Sequence, residues 1–200
     1  MPSITIHHLR AALRSPAHYK HELKATHQDC AFEFTGAKSC IAENPDALKA
    51  LNGCQDRGTV LNGIIDGIEC TTLIDARGDG AILRGITTPK DAQSASLQSF
   101  AALIQRLHLD MQMALDMALT GSDVEPWYAW IVVECNTPYA TAIYTPSAAV
   151  IASGKEKLRK ALSVIRQSQE SGSYPAYGGL QVVHVPKWRE NELSELGQEY

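Results

Sequence analysis

The chain has 200 residues, 44% of them hydrophobic and 20% charged, with a formal net charge of -4. This is the composition of one globular domain with its own core, and too little chain for two. The acidic balance excludes a globally basic nucleic-acid binder, so any DNA contact has to come from a local basic groove.

The first predicted element covers residues 3–14, where Leu9, Ala12 and Leu13 make a modest apolar helical face. Ser15-Pro16 reads as an N-cap followed by proline at the first helical position, opening a second helix through Leu23. His18 and His21 sit one helical turn apart, but without a convergent third ligand they read as surface or capping histidines. Asn44-Pro45-Asp46 precedes a short helix, Ala47-Leu48-Lys49-Ala50-Leu51, closed by Asn52-Gly53. Strands follow at 60–65 and from Ile68 onward, separated by the hairpin signal Asp66-Gly67.

Two further apolar runs, 72–74 and 81–86, flank the reverse turn Arg77-Gly78-Asp79-Gly80. Asp75 is expected to end one strand of this hairpin and Thr87-Thr88-Pro89 to end the next. The clearest helical stripe spans 97–118: Leu97, Phe100, Ile104, Leu107, Met111, Leu115 and Ala118, closed by Gly121. Strands at 128–135 and 139–145 are joined by Asn136-Thr137-Pro138, and Ile131-Val132-Val133 reads as a strand buried on both faces. Glu134 is read as a strand-end residue with a hydrogen-bond partner. Thr145-Pro146 opens a long helix to roughly residue 168. Its Leu158, Leu162 and Ile165 are expected inward and its Lys155, Lys157, Arg159, Lys160 and Arg166 largely outward. Residues 191–200 read as a short frayed helix or polar tail, and the whole of 1–200 reads as one domain.

The five cysteines (Cys30, Cys40, Cys54, Cys70 and Cys135) are odd in number and contain no C-x-x-C pair. Free thiols in a reducing cytoplasm are the expectation. No apolar run has the length of a membrane span, and residues 1–10 lack the layout of a secretory signal.

Several strings, in order, carry a resemblance. They are Leu9 to Lys20 with its Ser15-Pro16-Ala17-His18-Tyr19, and the frame of Asp75, Thr87-Thr88 and Asp91-Ala92. Glu134 with Pro138-Tyr139, Tyr174-Pro175-Ala176-Tyr177 and Pro186-Lys187-Trp188 complete them. Together they resemble the PD-(D/E)XK nucleases, specifically the RecE-type (exodeoxyribonuclease VIII) and lambda-exonuclease group. The resemblance leaves a gap at 25–63, where the group's glycine-to-histidine motif and Leu-Glu-Pro are absent. It implies an α/β fold, a central mixed β-sheet flanked by helices, in a phage or prophage recombination setting.

In that group two carboxylates hold Mg²⁺ and a lysine orients or activates the attacking water. Asp75 matches the first carboxylate, a vestigial or weak metal ligand. The acid and lysine positions of the next strand fall on Arg84 and Ile86. A guanidinium repels a divalent cation, and an isoleucine has neither charge nor donor. The sequence therefore reads as a catalytically inactive nuclease relative acting through DNA or protein binding, as a recombination accessory or a modulator of host defence. No cofactor is expected under this reading. The alternative is an active Mg²⁺-dependent DNA exonuclease with a rearranged site of Asp75, Asp91 and Lys90, the lysine lying four residues beyond Ile86. The DNA-binding candidates are Arg84, Thr87, Thr88, Lys90 and Gln112. Gln112 matches a glutamine of the group's helix, and Asp116 stands where an aromatic follows it. Asp75 and Arg84 are expected on neighbouring strands, close enough to form an ion pair.

Overall fold

A computed structural model describes residues 41, 43–88, 94–134 and 139–174. The expectations for the N-terminal helices, for Lys90 and Asp91, and for Trp188 lie outside the described residues.

Helix α1 (Pro45–Asn52) starts as expected, with the Asn44 side chain accepting from Ala47 N–H at 3.0 Å and proline at the first turn. Strand β1 (Cys54–Ile65) and strand β2 (Ile68–Gly78) form a long antiparallel hairpin. Its two-residue turn, Asp66-Gly67, has positive φ at both positions (50° and 80°), the twist that a tight hairpin needs. Strand β3 (Ala81–Thr87) pairs antiparallel with β2 from Gly78↔Ala81 to Ala76↔Leu83. Asp75 therefore lies inside β2 and not at its end.

The expected single helix over 97–118 is two. Helix α2 (Leu97–Leu107) and helix α3 (Leu109–Leu119) are separated by His108, in the left-handed region at φ 51°, ψ 42°. A non-glycine residue there costs about 1–2 kcal/mol, which only tertiary packing can justify. The reason lies in α3, where Asp110, Asp116 and seven apolar residues, from Leu109 to Leu119, are all buried. Such a helix is buried over most of its circumference, with Ala118 exposed and Gln112 half-buried, whereas α2 buries one stripe, Phe100, Leu103 and Ile104.

Strand β4 (Trp127–Val133) returns parallel to β3 after this helical crossover, and β5 (Thr141–Tyr144) pairs antiparallel with β4. The sheet of the described residues is mixed and five-stranded, in the order β1-β2-β3-β4-β5. Its two faces can be read directly from β4. Tyr128, Trp130 and Val132 join the core beneath α2 and α3, while Ala129, Ile131 and Val133 join a smaller core with Ala47 of α1. Phe100 of α2 meets Trp130 edge-on, with ring centroids 5.6 Å apart, and docks that helix on the sheet.

Helix α4 (Ala148–Ser171) packs along α3 and ends in Gly172 at φ 64°. The helices meet at Gly154, where a Cβ would run into the backbone carbonyl of Asp110. The Asp110 carboxylate, fully buried, accepts from Ser153 Oγ at 2.8 Å and from Lys157 Nζ at 2.6 Å. Together these contacts fix α3 with Asp116 turned toward the sheet.

Candidate functional site: a guanidinium between two carboxylates

The site lies where β2, β3 and β4 pass under α3. Strand β3 carries one charged residue, Arg84, in the run Ala81-Ile-Leu-Arg-Gly-Ile86, and the pleat turns it toward α3. A cation buried in an apolar strand needs a buried anion. Asp116, fully buried on α3, supplies it.

The pair is bidentate. Arg84 Nε donates to Asp116 Oδ2 and Nη2 to Oδ1, both at 2.8 Å. Thr72 Oγ1 accepts from Arg84 Nη2 at 2.7 Å and donates to Asp116 Oδ1 at 2.7 Å. Tyr128 OH, on β4, donates to Asp116 Oδ2 at 2.8 Å. Asp116 thus accepts four hydrogen bonds, the full capacity of a carboxylate. Three sheet strands and a helix converge on one side chain.

Asp75 stands at the edge of this network. Its Oδ2 accepts from Gly85 N–H at 2.9 Å and lies 4.0 Å from Arg84 Nη1. The expected proximity of Asp75 and Arg84 is present, but the guanidinium's hydrogen bonds go to Asp116 and Thr72. Where the β2–β3 ladder stops at Ala76↔Leu83, the Asp75 carboxylate takes up the next free N–H of β3.

Burial pushes the Asp75 carboxyl above its ordinary range; the Arg84 charge and the Gly85 N–H pull it back, and Asp116 adds to the rise. For Arg84, burial works against the charged form, but the Asp116 carboxylate overcomes it and raises the guanidinium further. Tyr128 is pushed well up by burial and then by Asp116, so its hydroxyl stays protonated as a donor.

The other sequence candidates separate. Ile86 packs against the helix-side core, an apolar filler at the position compared with a lysine. Thr87 is exposed at the end of β3. Thr88 is 2% exposed, with its N–H on Val133 O at 2.9 Å. Gln112 is half-buried on α3, one turn before Asp116. Arg84 is 8% exposed and held by Asp116. Glu134 has the expected partner, accepting from Ala95 N–H at 2.9 Å, and so ties the start of α2 to the end of β4.

Sequence reasoning missed Asp116, Thr72 and Tyr128 as site residues. The available signal was an acid in an otherwise apolar stretch of helix and a base in an otherwise apolar strand, two charges that burial would force together.

No protein-family model and no curated protein matches the sequence. Solved structures do. A candidate exonuclease from Eubacterium rectale superposes with a TM-score of 0.54 at 13% identity, over 90% of this chain and 73% of that one. An alkaline exonuclease from Laribacter hongkongensis superposes with a TM-score of 0.50 at 10% identity, over 85% of this chain and 93% of that one. The chain shares their α/β fold, a mixed sheet with flanking helices.

A divalent cation of the kind the nuclease resemblance implies does not fit these residues. All four acceptor positions of Asp116 are in use, and a guanidinium lies between it and Asp75. Mg²⁺ needs free carboxylate oxygens and no competing cation at that distance.

Proposed function

We propose that this protein is a catalytically inactive relative of the RecE-type exonucleases, which keeps the fold for binding DNA or a protein partner. The observation that carries the reading is the buried Arg84–Asp116 pair, a cation already seated where a nuclease needs an open metal site. Ile86, packed into the core, leaves the lysine's task undone. A phage or prophage setting in the cytoplasm follows from the resemblance, with a role as recombination accessory or modulator of host defence. No helix among the described residues is long and apolar enough to cross a membrane.

If DNA is the ligand, the contacts are proposed for Thr87, Lys90 and Gln112, with Arg84 left out because its guanidinium is engaged. With a net charge of -4, binding has to rest on a few phosphate contacts and must weaken steeply with salt. Fluorescence anisotropy with labelled duplex and single-stranded DNA, at low and at moderate salt, tests this. Binding that falls with salt and is reduced by Lys90→Ala supports a DNA role. No binding at low salt moves the reading to a protein partner. Mg²⁺- or Mn²⁺-dependent digestion of the same DNA would favour the rearranged site of Asp75, Asp91 and Lys90.

A further inference from the structure

We propose that a second copy of this chain docks in the groove between α3 and α4. The second copy's Val124 sits on the apolar floor of that groove, and its Asp123 and Glu125 face Lys155 and Arg159. The groove lies on the back of α3, away from the Arg84–Asp116 pair, and its use does not depend on the nuclease reading.

The hollow begins with the sequence of α3. Ala114 and Ala118 stand two residues before and after Asp116. At about 100° per residue that places them on the opposite side of the helix. Two alanines one turn apart leave space that longer side chains would fill. Ala118 is exposed there, while its neighbours Met117 and Leu119 are buried. Met117, with Leu158 and Leu162 of α4, completes an apolar floor, and the half-open cavity above it has a volume of about 430 Å³.

The two walls carry opposite charge. Lys155 and Arg159 stand on α4; Asp66 of the hairpin turn, with Asp123 and Glu125 of the loop after α3, forms the other wall. Ion pairs span the groove towards its two ends, Lys155–Glu125 at 2.9 Å and Arg166–Asp66 at 4.0 Å. All four side chains are about half exposed, so these pairs contribute little within one chain and exchange readily. Among the described residues Asp123 forms no ion pair. Between Asp123 and Glu125 stands Val124, 76% exposed, in a turn held by its N–H on Ser122 Oγ at 3.2 Å.

The chain thus carries both halves of one contact: an apolar residue flanked by two acids, and an apolar cavity flanked by two bases. A two-fold axis along the groove sets the acidic wall of each copy against the basic wall of the other, and brings each Val124 over the other's floor. An axis across the groove would oppose like charges, so the charges select the orientation. A contact confined to one groove suits a weak, reversible dimer.

Sedimentation equilibrium of the full chain tests this. The proteins are wild type, Val124→Ser, Lys155→Glu with Arg159→Glu, and Asp123→Lys with Glu125→Lys. All the changed side chains are exposed, and circular dichroism confirms the fold of each. Wild type is expected to dimerise at about 100 µM and less so at high salt. Val124→Ser removes an anchor twice per dimer and should raise Kd roughly 100-fold. Each charge-reversed variant should be monomeric alone. An equimolar mixture of the two should restore the dimer, because each then meets opposite charge on both walls. A wild type that remains monomeric at that concentration overturns the proposal and leaves the groove to another kind of partner. A dimer unchanged by Val124→Ser, a dimer that survives either charge reversal, or a mixture that stays monomeric overturns it as well.

Discussion

Arg84 and Asp116, 32 residues apart in the chain, meet as a bidentate pair with both N···O distances at 2.8 Å. The pair joins β3 to α3 and is buried on both sides.

A buried pair of this kind is costly to break and cheaper to remove whole. Asp116→Leu is expected to cost about 3–5 kcal/mol, because the guanidinium stays buried without its countercharge. Arg84→Met should fall in the same range. The double variant Arg84→Met, Asp116→Leu should cost less than the sum of the singles, by on the order of 2–3 kcal/mol. Urea unfolding of the four proteins gives the coupling, and additive costs would contradict a direct, buried interaction.

The hairpin turn at Asp66-Gly67 and the Asn44 cap of α1 were legible in the sequence because both are local. A positive-φ turn pair and a side chain reaching three residues on leave short signatures. The first half of β1 was not legible. Gln55, Asp56, Arg57 and Gly58 show no alternation, and they are a strand only because β2 pairs with them. The break at His108 was hidden by an apolar stripe that runs through it. The central pair was half legible, since Arg84 stood out in its strand. Its partner did not, because a contact from β3 to α3 depends on tertiary packing that periodicity does not encode.

The raised pKa of Asp75 has a consequence for pH. A carboxyl that is harder to ionise in the folded chain contributes stability fully below its unfolded pKa. That contribution is lost as pH rises through its folded value. Asp75→Asn removes the ionisation and keeps an acceptor for Gly85 N–H. The stability of Asp75→Asn relative to wild type should therefore rise between about pH 3.5 and about pH 7. Thermal unfolding of both proteins across that range measures it, and a relative stability that falls with pH would contradict the burial-driven shift.

Gly154→Ala probes the seat of α3. Alanine is the better helix former by about 1 kcal/mol, so an open position would gain stability. Here the added Cβ meets the Asp110 carbonyl, and α4 has to move away from α3. A loss of about 1–3 kcal/mol is expected by urea unfolding, and a gain would show that the helices are not in close contact.

The central claim is that a seated guanidinium takes the place of the metal, and it is tested most directly by incubating wild-type protein with linear duplex and single-stranded DNA in Mg²⁺ and in Mn²⁺. The account predicts no product above the level of an Asp75→Ala control. Digestion that requires the metal and is lost in Asp75→Ala would contradict it.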